Sequence, residues 1–336
     1  MDRFQCGDHE RGYSRRGSSG SSNVCGNKRC TSLDISRWKP SQSDQGVATL
    51  NPRSWTWEES VDWLRRQPDQ QALVRACYYD DPLLAAAQRF ARSDEWRAVR
   101  AYLPHRPGRA IDIGAGRGIS SFALAGNGWQ VVALEPDPSL LVGSGAICYL
   151  ARETGLPIMV GEAYGEAVPF EDNTFDLVYG REVLHHARNL PQLCLEVARL
   201  LKPGGHFLLT RETVISYPED LDIFLKNHPL HKYFGGENAF LLDNYLSAIS
   251  ASGLKLQKIL GPLDTPINFY PFDDELPGIS KRKQFYRKIR HLQIRSLYGV
   301  RSALAHTLPR VIARRLFRVL DSPGRLFSFY AIKPMR

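Results

Sequence analysis

The chain has 336 residues, 43% hydrophobic and 24% charged, which excludes wholesale disorder, collagen-like repetition and a disulfide-dense miniprotein. Its length exceeds the usual single domain, so one catalytic-size domain with appended segments, or two modest domains, is expected. The formal charge of +9 is local: residues 277–336 hold 15 Lys or Arg against the single acid Asp321, whereas the rest hold 29 against 34 acids. A uniformly basic domain would point to nucleic acid. A cationic segment on a slightly acidic body points instead to an anionic surface, substrate or partner, or to a solvated helix face.

Residues 1–52 are rich in Ser, Gly, Asn and Arg without apolar periodicity and are expected to form a disordered tail. The tail lacks the apolar core of a secretory signal, and no run in the chain approaches ~18 apolar residues, so a cytoplasmic protein is expected. Cys6, His9, Cys25 and Cys30 are zinc-ligand types, but the fifteen residues between His9 and Cys25 contain no close ligand pair, so free thiols are expected. Residues 53–104 read as an N-terminal helical cap. Trp57, Val61 and Leu64 recur at helical spacing, with Thr56 as N-cap and Glu59 as its capping-box partner.

From Arg109 the pattern alternates: strands at 109–114, 130–135, 157–161, 175–180, 206–211 and 254–260, and helices at 118–126, 138–152, 189–201 and 237–251. Short apolar runs between amphipathic helices predict parallel strands with crossover helices. The expected fold is α/β: a doubly wound, mostly parallel seven-stranded sheet of Rossmann-like type. Its core spans 105–264, a basic helical insertion spans 265–324, and 325–336 supply the final strand. Within the insertion, Phe285, Ile289, Leu292, Val300 and Leu304 form a stripe opposite Arg287, Lys288, Arg290 and Arg295, a helix that would pack on the core or rest on an anionic bilayer.

Asp112-Ile113-Gly114-Ala115-Gly116-Arg117-Gly118 places three alternate glycines between a strand and a helix, where open α/β sheets bind nucleotides. The spacing is G-x-G-x-G, not the G-x-G-x-x-G of dinucleotide sites, which disfavours NAD and FAD. The next strand ends at Glu135-Pro136, an acid where such folds meet ribose hydroxyls. With Gly161-Glu162-Ala163, Pro169 to Val178, Leu184-His185-His186 and Leu201 to Gly205, these residues resemble the class I S-adenosylmethionine-dependent methyltransferases, in the branch acting largely on small molecules. The resemblance covers about 105–264 and the final strand.

That resemblance implies S-adenosylmethionine as cofactor. Asp112 would order the glycine loop, and Gly114, Ala115, Gly116 and Gly118 would lie against the methionine moiety. Glu135, followed by Pro136, would bind the ribose, and Glu162 and Ala163 would reach the adenine. Arg181 stands near the sulfonium site, where a guanidinium would repel the cationic ligand unless Glu182 or an anionic substrate offsets it. Methyl transfer is an in-line displacement that needs a base only when the acceptor must lose a proton, and either His185 or His186 is a candidate. The cluster from His228 to Asn238 suits an acceptor pocket or a plain loop. No carboxylate pair or Cys stands at ligand spacing there, so no metal is expected.

The expected activity is methyl transfer to a small metabolite, sugar or lipid-linked acceptor, with an anionic acceptor and peripheral membrane contact both compatible with the basic segment. The alternatives are a catalytically silent cofactor-binding or membrane-scaffold module, and methylation of a macromolecule. Nucleic acid ranks lower as a partner, because Tyr179-Gly180-Arg181-Glu182 differs from the Asn-Pro-Pro-Tyr-like signature of base amino-group methylation.

Overall fold

In a computed structural model, residues 55–262, 264–269 and 324–335 are described. The expected tail 1–52 with its cysteines, and the amphipathic stretch 281–320, lie outside the described residues.

Among the described residues, the first α-helices are α1 (Trp57–Arg65), α2 (Gln71–Ala76), α3 (Leu83–Arg92) and α4 (Asp94–Arg100). The capping box at α1 forms, with the Thr56 hydroxyl accepting from Glu59 N–H at 3.1 Å and the Glu59 carboxylate accepting from Thr56 N–H at 2.8 Å. The core alternates as β1 (Arg109–Ile113), α5 (Ile119–Gly126), β2 (Gln130–Leu134), α6 (Ser144–Thr154), β3 (Ile158–Gly161), β4 (Phe175–Arg181), α7 (Leu190–Leu200) and β5 (Leu201–Ile215). There follow α8 (Asp220–Asn227), α9 (His231–Phe234), β6 (Phe240–Leu241), α10 (Leu242–Ala251), β7 (Lys255–Leu260), α11 (Pro266–Phe269) and β8 (Arg325–Ile332).

The strands run in the order β3-β2-β1-β4-β5-β8-β7, with the two-residue β6 beside β5. Among the described residues the sheet therefore has eight strands rather than the expected seven; the short β6 is the addition. β1 to β5 are parallel neighbours along this path, whereas β8 is antiparallel to both β5 and β7. Three expected boundaries move for local reasons. A turn closed by Ser139 N–H to the Asp137 carboxylate, Gly143 N–H to the Ser139 carbonyl and Ser144 N–H to the Asp137 carbonyl takes up residues 137–143, and α6 begins at Ser144 instead of 138. Phe240 and Leu241 pair with Val214 and Ile215, which delays α10 to Leu242. Strand five, expected over 206–211, extends from 201 to 215 because its far end also serves β6 and β8.

The central strands are buried on both faces, as a parallel sheet requires. Ala110, Val131, Ala133 and Tyr179 pack with α3, α4, α5 and α6 on one side. Ile111, Ile113, Val132 and Val178 pack with α7 and α10 on the other. This sandwich holds the carboxyl ends of β1, β2 and β4 side by side.

Candidate active site

The glycine loop leaves β1 with Gly114, Gly116 and Gly118 all at positive φ (63°, 54° and 80°), the left-handed region that side chains rarely adopt. Their surroundings differ. A Cβ on Gly114 would strike the Val183 side chain, and one on Gly118 would lie 3.1 Å from Ile147. A Cβ on Gly116 would find nothing nearer than the Val142 carbonyl at 4.0 Å. Gly114 and Gly118 thus serve close packing, while Gly116 borders open space that a ligand can enter.

Glu135 ties this loop to β2. Its Oε2 accepts from Gly116 N–H at 2.8 Å and its Oε1 from Asp137 N–H at 3.0 Å. Each oxygen keeps lone-pair capacity for a further donor. Burial pushes the Glu135 carboxyl up to about 7, against the pull of these two donations, and the negative Asp137 and Asp112 add to the rise. Asp112 is fully buried: Oδ2 accepts from the Ser121 hydroxyl at 2.6 Å, and Oδ1 has no hydrogen-bond partner among the described residues. Burial raises it to about 6. Ala115 is buried and donates its N–H to Leu134, Pro136 is half-buried, and Ala163 packs against the α7-side core. Glu162 accepts from the Ser144 hydroxyl at 2.6 Å, at the start of α6.

These features fit S-adenosylmethionine. The open face at Gly116 and the spare acceptor capacity of Glu135 are what a ligand carrying hydroxyl donors would satisfy.

Arg181, at the end of β4, is neutralised within the protein. Its Nε donates to Glu95 of α4 at 2.7 Å, its Nη1 lies 3.4 Å from Glu182, and its guanidinium sits 5.7 Å from the ring centroids of both Tyr78 and Phe90. Arg211 of β5 adds a 2.5 Å bond from Nε to Glu182. Burial would raise the Glu182 carboxyl, but Arg181 and Arg211 hold it down to about 2. Glu182 and Arg211 both take positive φ (56° and 62°) without being glycine, a local strain set at the site's edge.

His185 and His186 lie on the turn after β4, and their rings are 4.1 Å apart. Glu212 of β5 organises this turn. It accepts from Val183 N–H at 3.1 Å, from His185 N–H at 3.0 Å, and contacts His185 Nδ1 at 2.9 Å. Burial works against charge on His185, yet the Glu212 contact lifts its pKa above the ordinary imidazole value. His186 is partly exposed, with Nδ1 3.1 Å from the Gly236 carbonyl; burial of its other side and the neighbouring His185 lower its pKa.

Residue-type reading missed Glu95 and Glu212, which the fold brings in from distant segments, whereas Glu237 lay within the cluster 228–238. Glu212 had a weak signal, since it stands between Phe207-Leu208-Leu209 and Val214-Ile215 and an acid buried in such a strand needs a partner. Tyr233 and Phe234 of the 228–238 cluster serve the cap: Tyr233 stacks on Trp55 at 4.5 Å, and Phe234 lies 5.3 Å from Trp57.

A doubly wound sheet with a glycine loop after β1 and an acid ending β2 defines a Rossmann-like methyltransferase fold. Residues 111–209 match the family model described as a methyltransferase domain, and this core is a methyltransferase domain. An uncharacterised methyltransferase of Mycobacterium tuberculosis is 33% identical over 128 residues, 38% of this chain and 48% of the relative. The methyltransferase YcgJ of Bacillus subtilis is 31% identical over 123 residues, 36% of this chain and 46% of the relative. The chain thus spans about half the length of the curated relatives it matches. The solved structure of a geranyl diphosphate methyltransferase in complex with S-adenosylmethionine superposes with a TM-score of 0.50 at 15% identity, covering 76% of this chain and 91% of that one, a likeness of fold. Among the described residues no helix is long and apolar enough to cross a membrane.

Proposed function

We propose that the whole chain transfers a methyl group from S-adenosylmethionine to a small-molecule acceptor. The observation that carries this reading is the Glu135–Gly116 bond beside the open face of Gly116. Bound there, the cofactor supplies an electrophilic methyl on a sulfonium that is already a good leaving group. The chain's own work is to hold and orient: Gly116 leaves room, Glu135 receives ribose hydroxyls, Glu162 and Ala163 border the adenine, and Asp112 steadies the loop.

His185 and His186 are the groups proposed to activate the acceptor. Their turn touches the loop, since Val183 occupies the space beside Gly114. Burial of His185 and Arg181, with α3 and α4 laid over the end of β4, favours a small acceptor over a macromolecule. The internal pairing of Arg181 with Glu95 and Glu182 removes its repulsion of a sulfonium without requiring an anionic acceptor. A lipid-linked acceptor and membrane contact rest on the basic segment beyond the described residues.

Calorimetry with S-adenosylmethionine tests the first step: binding is expected for the wild type and is lost or strongly weakened in Glu135→Ala. Equal affinity in the two proteins sinks the reading. Transfer of labelled methyl to components of a cell extract separates an enzyme from a silent cofactor-binding module, which would yield no labelled product.

A further inference from the structure

We infer that His185, His186 and Glu237 form a binding site for a first-row divalent transition-metal ion. One ligating atom from each lies within 4.8 Å of the other two. The nearest carboxylate in sequence, Glu182, is taken up by Arg181 and Arg211; the fold supplies Glu237 from the loop before β6.

The tautomers are suited to this task. The Gly236 carbonyl can only accept, so His186 Nδ1 carries the proton and Nε2 keeps its lone pair. His185 Nδ1–H likewise donates to the Glu212 carboxylate at 2.9 Å, which leaves the lone pair of that ring on Nε2. Imidazoles whose second nitrogen donates to a carboxylate or a backbone carbonyl are the usual supports of metal-bound histidine. His186 Nε2 stands 4.0 Å from Glu237 Oε2, too far for a hydrogen bond and a few tenths of an ångström wider than the roughly 3.3–3.6 Å between neighbouring tetrahedral ligands with bonds of about 2.0–2.2 Å, so the carboxylate would draw in on the ion.

Glu237 has support of its own. His228 Nδ1 accepts from Leu230 N–H at 3.4 Å, which places its proton on Nε2, facing Glu237 Oε1 at 3.6 Å. His228 thus faces the carboxylate oxygen that His186 does not. Two imidazoles and one carboxylate suit Zn²⁺, Co²⁺, Ni²⁺ or Mn²⁺ better than Mg²⁺ or Ca²⁺, which prefer oxygen donors throughout.

Three protein donors leave coordination positions open for an oxygen of a small molecule. The site itself rests on geometry alone. Its role, holding an acceptor oxygen and favouring its deprotonated form beside the methyl donor, rests on the methyltransferase reading and makes the imidazoles ligands.

The test uses the untagged full-length protein, stripped with chelator and titrated with Co²⁺ by visible absorption and calorimetry. His186→Ala and Glu237→Gln are compared at partly exposed positions, with circular dichroism to verify folding. The wild type should bind one equivalent that each variant weakens by more than about 100-fold, with His228→Gln weakening it about tenfold. Thiolate charge-transfer bands would assign the ion to cysteines, such as Cys6, Cys25 and Cys30, and overturn the site. So would the absence of Co²⁺ binding by the wild type, or unchanged affinity in both variants. S-adenosylmethionine is titrated separately: cofactor binding without Co²⁺ binding defeats only the metal site, and the reverse defeats only the methyltransferase reading.

Discussion

Glu95 of α4 and Arg181 at the end of β4 form a buried ion pair, 2.7 Å from carboxylate to Nε, that joins the helical cap to the strand beside the glycine loop. The Glu95 side chain is fully buried, with Arg211 Nη1 also 3.9 Å from it. Removing one partner strands the other charge in a poor dielectric. Glu95→Gln should cost about 3 to 5 kcal/mol and be read as a lower midpoint in chemical denaturation. The double variant Glu95→Leu with Arg181→Met should recover most of that loss, because it removes the charge and its partner together. A Glu95→Gln protein as stable as the wild type would mean that the pair contributes little.

Gly116→Ala separates binding from folding. The added methyl meets no protein atom nearer than 4.0 Å, but it sits in the space assigned to the ligand and at a strained φ. Stability should fall by about 1–2 kcal/mol, while S-adenosylmethionine affinity should fall at least about tenfold, a loss of 1.4 kcal/mol or more in binding. Calorimetry on the folded variant decides it, and retained affinity would place the ligand elsewhere.

The Glu135 carboxyl gives a pH signature. Its pKa is raised from 4.5 to about 7, so its contribution to the stability of the ligand-free fold is present below 4.5 and fades as pH rises through 7. Cofactor affinity should run the other way, because ribose hydroxyls donate to the ionised form. Below about pH 7 affinity should fall by up to about tenfold per unit, and above it should level off. Asp137 and Asp112 are the charged neighbours that raise Glu135, and Asp112, raised to about 6, steepens the profile below that value. Titrations from pH 5 to 9 should show a flatter profile in Glu135→Gln; an unchanged slope would assign the titration to another group.

Arg117, within the glycine loop, reaches the cap: Nη1 donates to the Tyr78 and Asp80 carbonyls at 2.9 and 3.1 Å, and Nη2 to Asp81 at 2.7 Å. Three acceptors spread over two nitrogens call for a guanidinium fork. Arg117→Lys should therefore loosen the cap nearly as much as Arg117→Ala, seen as faster amide exchange over residues 71–92. Exchange at wild-type rates in both variants would show that aromatic packing alone holds the cap.

The glycine loop, Glu135 and the histidine turn were legible in the sequence because each lies within a few residues of a strand end that apolar periodicity locates. Their partners were not. Arg181 meets Glu95 across 86 positions and His185 meets Glu212 across 27, distances over which local pattern carries no pairing information. The Arg181 mismatch was visible as an unbalanced charge, but its answer lay in a helix that local pattern describes only as amphipathic. The two-residue β6 was hidden for the opposite reason: Phe240 and Leu241 continue the apolar spacing of α10, and only pairing with Val214 and Ile215 withdraws them from it.

The place of β8 between β5 and β7 imposes an order on synthesis. Residue 260 ends β7 and residue 325 begins β8, so β7 emerges from the ribosome well before the strand that joins it to the sheet. At about 5–20 residues per second the gap lasts several seconds. During that interval β5 presents an open edge, a template for pairing with other nascent chains. A stop codon anywhere between these strands would make that exposure permanent even though the glycine loop, Glu135 and the histidine turn had all been translated.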